Sequence, residues 1–200
     1  MASIYQLKQK FQNLLRPLVK RLYKIKITAN HVTLFALFGS LAVSFIIWQN
    51  AQIKWLFYLI PVWMFIRMAL NAIDGMLARE FNQKSDLGAY LNELCDVVSD
   101  CALYIIFALT ANAQLVAAVV ILSIISEYAG VMAPLIGKER RYDGPMGKSD
   151  RAFVFGVLGV IAGAGIFLNF IDYILLAVAI LLCLTIFNRV KNALKKAENE

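Results

Sequence analysis

The sequence predicts an all-α membrane protein, with six transmembrane helices preceded by an N-terminal amphipathic interfacial helix. Three observations carry this prediction. The 200 residues are 60% hydrophobic, too apolar for a soluble domain of this size. Apolar runs recur along the chain at lengths near the ~20 residues that a bilayer core requires. Lysine and arginine, which give the chain a formal charge of +7, gather in alternate links between those runs. No repeat, low-complexity tract or second domain interrupts this pattern.

Residues 4–24 predict a helix lying on the membrane surface. Ile4, Leu7, Phe11, Leu14, Leu15, Leu18 and Leu22 fall on one face, while Lys8, Lys10, Arg16, Lys20, Arg21 and Lys24 lie mostly away from it. Such a helix suits an anionic bilayer surface, apolar side down. Pro17 is expected to kink it. The first 28 residues lack an apolar core and a small-residue cleavage site, so no signal peptide is expected. They are acid-free and basic, but Lys dominates and Ser is nearly absent, unlike a mitochondrial targeting helix. Thr28 and Asn30 offer capping oxygens for the next helix, and His31, the single histidine, sits at its mouth as an interfacial residue.

The six spans are expected near 31–50, 54–78, 88–110, 113–136, 151–168 and 171–188. The links 49–53, 111–112 and 169–172 contain no Lys or Arg. The opposite side carries the basic N-terminus, Arg79 and Lys84, then Lys138, Arg140, Arg141, Lys148 and Arg151, then Arg189, Lys191, Lys195 and Lys196. By the positive-inside rule both termini face the cytoplasm. Gly156, Gly159 and Gly163 permit close helix approach in the fifth span. Cys95, Cys101 and Cys183 fall in apolar segments, where neither a disulfide framework nor a zinc spacing is legible. The expected division is residues 1–28 for the interfacial helix and linker, 29–190 for the six-helix domain, and 191–200 for a basic, polar cytoplasmic tail.

One stretch departs from this apolar pattern. Between Asn71 and Asp100, carboxylates, carboxamides, two glycines and an arginine interrupt two spans. Ionisable groups at membrane depth are costly and mark sites. Asn71, Asp74 and Ala78 share one helix face at i, i+3 and i+7, and Gly88, Asn92 and Asp96 form a stripe at i, i+4 and i+8. A short polar loop makes the two helices antiparallel neighbours. Four oxygen-bearing side chains are thereby expected to meet near the loop, a donor set suited to a hard divalent cation with a phosphate approaching past glycine and alanine. Glu93 is about 100° round the helix from Asn92 and is a poor substitute ligand.

The run Asp74-Gly75-x-x-Ala78-Arg79, then eight residues, then Gly88-x-x-x-Asn92-x-x-x-Asp96, resembles the signature of the CDP-alcohol phosphotransferase (CDP-alcohol phosphatidyltransferase) family. The length, six hydrophobic segments and the I-T-A-N-H-V-T run entering the first of them are similar too. Asn71 and Asn92 stand where that family has its first and third aspartates. The resemblance implies transfer of a phosphatidyl group from CDP-diacylglycerol to an acceptor alcohol with release of CMP, in phospholipid biosynthesis. It implies Asp96 as general base, and Asp74, Asp96, Asn71 and Asn92 around one or two Mg2+ or Mn2+ ions. It implies Gly75, Ala78, Arg79 and Gly88 against the CDP moiety. A homodimer in the bacterial inner membrane, with the site cytoplasmic and no nucleic-acid partner, completes the expectation. Loss of two carboxylates puts the second ion in question. The alternative is a catalytically weakened or silent member that binds nucleotide or lipid.

Two further clusters stand out. The loop 137–151 is basic, and the resemblance suggests Lys148, Arg151 and Arg141 as an acceptor-binding pocket for a phosphorylated alcohol; the competing reading is that these charges only anchor the loop. Deeper, Arg67 lies ~18 Å from the motif end of its helix, with Asp100 at similar depth and Glu127 ~15 Å in. Three intramembrane charges at one level predict a structural pairing of Arg67 with Asp100, Glu127 or both. The acceptor itself (glycerol phosphate, inositol phosphate, serine or another alcohol) is not legible.

Overall fold

The computed structural model describes residues 4–195 and is helical throughout, with no strand among the described residues. Residues 1–3 of the predicted interfacial segment and 196–200 of the predicted tail lie outside that range. Seven α-helices follow in order: α1 (Ile4–Lys24), α2 (Ala29–Gln49), α3 (Leu59–Glu80), α4 (Asp86–Ile105), α5 (Ala113–Val131), α6 (Lys148–Ala164) and α7 (Leu168–Leu194). Short 3₁₀ turns lead into α3 (Lys54–Tyr58) and extend α4 (Ile106–Leu109) and α5 (Ala133–Ile136).

Four of these segments are long and apolar enough to cross a membrane: Ala29–Gln49, Lys54–Glu80, Ala113–Ile136 and Leu168–Leu194. The other two expected spans fall short for reasons tied to their charge and length. α4 carries Asp86, Glu93, Asp96 and Asp100, and α6 has 17 residues with Lys148, Asp150 and Arg151 in its first turn. α6 begins three residues before its expected start and ends early at Gly165, whose φ of 67° turns the chain out of the helix. The predicted link at 169–172 is instead the first turn of α7, because Phe167 takes the left-handed turn at φ 50°. α7 also runs on to Leu194, through the start of the expected tail.

α1 continues through Pro17 as one helix. Its Val19 is buried with Ile73, Met76 and Leu77 of α3, flanked by Leu15 and Leu22. Leu14 and Leu18, by contrast, are exposed. Thr28 caps α2: its Oγ1 accepts from His31 N at 3.3 Å, and His31 Nδ1 accepts from Thr28 N at 3.3 Å. The histidine thus closes a reciprocal cap usually made by Glu or Gln.

The larger core joins α2, α3, α4, α5, α6 and α7 through Ile47, Phe57, Ile60, Leu103, Phe107, Val116, Phe155, Leu158 and Leu175. Tyr104 stacks on Phe155 at 3.8 Å between centroids. The α6 glycines lie against the start of α3: a Cβ on Gly159 would stand 2.8 Å from Pro61 Cδ, and one on Gly163 3.1 Å from the Tyr58 ring. That close approach sets α6 beside α3, and the groove between them becomes part of the site.

Candidate functional site

The polar centre is assembled where α2, α3, α4 and α6 meet. Asp74 is buried on α3, and Oδ2 accepts from Thr33 Oγ1 of α2 at 2.8 Å. Asn71, one turn earlier, extends its amide across to α4, where Nδ2 donates to Asp96 Oδ1 at 3.3 Å. Arg67, one further turn back, donates to the same oxygen at 3.0 Å and to the Asp96 carbonyl at 2.9 Å. From the first residue of α6, Lys148 Nζ donates to Asp96 Oδ2. Two helices therefore converge on one carboxylate of a third.

The loop between α3 and α4 is fixed from several sides. Ser85 caps α4, accepting from Gly88 N at 3.0 Å, and Gln83 Oε1 accepts from Ala29 N at 2.8 Å. A Cβ on Gly88 would lie 2.9 Å from Asn30 Oδ1 and 3.0 Å from Ser85 Oγ, so a larger residue there would displace those side chains. Arg16 of α1 pairs with Glu80 at 2.9 Å, and Tyr23 packs on Phe81 at 4.3 Å. Arg79 is exposed and folds back so that a Cβ on Gly75 would meet its guanidinium at 3.0 Å.

Two cavities open on this centre. A polar one of 370 Å³ is lined by Thr33, Asn71, Asp74, Gly75, Ala78, Arg79, Gly88 and Asn92 among others. A larger groove of 610 Å³ runs between α3 and α6; its walls include Pro61, Met64, Phe65, Phe153, Gly156 and Val160, and Arg67, Asn71, Asp100 and Lys148 stand at its polar end. Asn71 lines both cavities. Asp96, its side chain 20% exposed, adjoins them through its partners Arg67, Asn71 and Lys148.

Whether these residues fit a divalent cation follows from their donors. Among the described residues, no group of three or more His, Cys, Asp or Glu side chains is placed to hold a metal ion. Any such ion must draw on carboxamides. Asp74 gives one oxygen to Thr33, its other oxygen accepts no side-chain hydrogen bond among the described residues, and Asn92 and Asn71 face the same cavity. That is an all-oxygen set of low charge, which fits one hard cation such as Mg2+ or Mn2+. Glu93 is taken by Arg140.

Beneath the centre runs a chain of buried charge. Arg67 pairs with Asp100; Arg151 donates to Asp100 Oδ2 at 3.3 Å and to Glu127 Oε1 at 2.9 Å. Arg140 and Arg189 also reach Glu127, at 3.3 and 3.5 Å. Arg67 thus pairs with Asp100 and not with Glu127, which three other arginines surround.

The three residues expected to bind the acceptor, Lys148, Arg151 and Arg141, are all ion-paired. Each has its own acid: Lys148 has Asp96, Arg151 is 1% exposed between Asp100 and Glu127, and Arg141 is bound to Asp143 at 2.7 and 2.9 Å. Those two bonds hold the Asp143 carboxyl below the ordinary carboxylate range. Sequence reasoning missed Thr33, Gln83, Arg140 and Arg189 as partners. Thr185 and Arg189, four residues apart on a helix, were the available signal: Thr185 Oγ1 accepts from Met146 N and Arg189 donates to the Asp143 carbonyl, so both hold the 137–147 loop.

Together, the fold and this centre define a helical, membrane-spanning class of protein whose acidic and amide groups sit between a polar cavity and an apolar groove. A family model of CDP-alcohol phosphatidyltransferase matches residues 26–187, and the chain belongs to that family. Inner membrane protein YnbA of Escherichia coli (strain K12) is 51% identical over 160 residues, 79% of each chain. An uncharacterized protein of Aquifex aeolicus (strain VF5) is 34% identical over 96 residues, 48% of this chain and 46% of its own. Among solved structures, Mycobacterium tuberculosis phosphatidylinositol phosphate synthase (PgsA1) in complex with manganese and citrate shares the fold at a TM-score of 0.76 and 17% identity, over 91% of this chain and 90% of that one. The same synthase with CDP-DAG bound gives a TM-score of 0.73 at 17% identity, over 92% and 98%.

Proposed function

We propose that the chain is an integral membrane CDP-alcohol phosphatidyltransferase that moves a phosphatidyl group from CDP-diacylglycerol to an acceptor alcohol and releases CMP. The observation that carries this reading is Asn71, which stands in the wall of both cavities beside Asp96. A donor with a nucleotide at one end and acyl chains at the other needs such a pair of cavities, one polar and one apolar, with the reacting phosphorus at their junction. The CDP-DAG bound to the mycobacterial synthase is a molecule of that kind.

In this reading Gly75, Ala78 and Gly88 leave room for the nucleotide, and Arg79 meets its diphosphate, a contact that a guanidinium makes with two bonds. Asp74, Asn71 and Asn92 would hold the divalent cation, which offsets phosphate charge when bound. The acceptor oxygen bonds to the lipid-side phosphorus, the bond to the CMP phosphate breaks, and CMP leaves with that electron pair. The proton goes to Asp96. Its Oδ1 already accepts from Arg67 and Asn71, but Oδ2 has Lys148 alone, leaving one acceptor direction for the hydroxyl. Of the three basic residues, Lys148 is the one that stands in the wall of the groove.

All six long helical segments cross the membrane in this reading, α1 lies on its surface, and the termini and site are cytoplasmic. The Escherichia coli relative, named an inner membrane protein, supports that location. A homodimer is carried by the family resemblance alone. The deciding experiment is CMP release from CDP-diacylglycerol by the purified chain against a panel of alcohols, with mass spectrometry of the lipid product. Mn2+- or Mg2+-dependent CMP release is expected, and Asp96→Asn is expected to lower it by a factor of about 10² to 10⁴, the usual worth of a general base. No release with any acceptor, alongside retained nucleotide binding, would favour the silent binder that Asn71 and Asn92 permit.

A further inference from the structure

We infer that the Lys148 ammonium is a built-in cation beside Asp96, standing where a second divalent ion would otherwise be held, so that the centre takes one divalent ion and not two. This rests on the family chemistry proposed above and specifies its metal requirement.

Four features of the chain carry it. First, Asp96 has no oxygen left without a protein partner: Arg67 and Asn71 donate to Oδ1, and Lys148 donates to Oδ2. A second ion would have to use the one acceptor direction left on Oδ2, beside the Lys148 ammonium, which repels it. Second, Asn71 presents its NH2 to that carboxylate. An amide so turned has the polarity of a hydrogen-bond donor, opposite to that of a ligand shared with Asp96.

Third, the charge count changes in step. Asparagines at 71 and 92 leave Asp74 and Asp96 as the carboxylates of the motif. Two missing negative charges are what one divalent ion would have neutralised, and a lysine supplies positive charge at the carboxylate that remains. Fourth, Lys148 occupies the first position of α6. A cation is disfavoured at a helix N-terminus, where the backbone dipole is positive. The pairing with Asp96 offsets that cost, and the side chain also lines the polar end of the α3–α6 groove. The ammonium therefore faces the junction where the donor phosphate arrives and adds positive charge there without being exchangeable.

The test is Mn2+ binding alone, with the full-length chain in detergent or nanodiscs, read by equilibrium stoichiometry and electron paramagnetic resonance. One Mn2+ per chain with an isolated-ion spectrum is expected. Two ions per chain with an exchange-coupled spectrum, or no bound ion, would overturn the inference. Lys148→Met, a half-buried position that should tolerate the change, uncovers Asp96 and is expected to admit a second, weaker Mn2+. A second variant, Asn71→Asp/Asn92→Asp/Lys148→Met, is expected to bind two coupled ions. If both variants fold and stay at one ion, Lys148 does not have this role; one folded variant is enough to decide. CMP release measured on the same preparations separates the two ideas. Two coupled ions with CMP release sink the inference and leave the transferase reading, whereas one ion without CMP release does the reverse.

Discussion

One hydroxyl governs how Asp74 presents its oxygens. Thr33 donates to Oδ2 at 2.8 Å and fixes the carboxylate, leaving the other oxygen for the cavity. Partners of this kind are worth roughly 10- to 100-fold in metal affinity when removed. Thr33→Val is therefore expected to weaken Mn2+ binding by about that factor, at a stability cost of about 1.5–3 kcal/mol. Thr33→Ser should restore most of the affinity. Mn2+ titration and thermal unfolding of the same samples check both halves. The acceptor side of this contact was legible in the sequence, because Asn71, Asp74 and Ala78 keep helical spacing. The donor was not. A threonine in an apolar span commonly bonds its own preceding turn, and the Ala29 carbonyl lies 3.2 Å from Thr33 Oγ1, but the single hydroxyl proton goes to the nearer, charged Asp74. Nothing in the spacing says that it serves a second helix instead.

At the scale of elements, buried charge decides which helices are locked together. Arg67 and Asp100 were placed at one depth by counting residues, and their pairing follows from the cost of leaving either in lipid. Arg151 and Arg189 read as flanking cations because their helices seemed to begin late or end early. α6 starts at Lys148 and α7 runs on to Leu194, so both residues lie inside helices, and Arg151 and Arg189 are 1% and 2% exposed. Arg151 is the one side chain joining Asp100 of α4 to Glu127 of α5 from α6. Truncating it leaves two buried acids short of a partner. Breaking a buried pair from one side costs about 3–5 kcal/mol, and Arg67, Arg140 and Arg189 remain to soften that. Arg151→Ala is thus expected to lose about 3 kcal/mol in reversible unfolding from mixed micelles. Arg151→Lys should lose less, because it keeps the charge but not the fork that spans both acids. Equal losses for the two variants would mean that charge alone is what α6 contributes.

For the whole molecule, the two ends of the bundle differ in charge, and the contacts show which segments share an end. α1 is tied to the α3–α4 loop through Arg16–Glu80 and Tyr23–Phe81, and the 137–147 loop is tied to α7 through Asp143 with Arg189 and Asn192. Arg140 and Lys148 connect that loop to α4. The N-terminal helix, both basic loops and the end of α7 therefore lie at one end. The other end is held by Asp172 accepting from Asn112 N at 2.8 Å and by Lys54 beside Gly165. The links flanking α4 then lie at opposite ends, as do those flanking α6. Both helices must traverse the bundle even though their charge or length denies them a simple hydropathy signal. Lipid exposure of their polar faces is avoided because α2 and α5 cover α4, and α3 and α7 cover α6. Cytoplasmic loops carry the Lys and Arg excess, so the end with Arg79, Lys84, Arg140, Arg141 and Lys148 is expected inside. A fluorescent protein fused after residue 195 should glow, and alkaline phosphatase at the same point should be inactive. Alkaline phosphatase fused after residue 112 should be active. The opposite pattern would place the polar cavity on the side away from cytoplasmic nucleotide, and the transferase reading could not survive it.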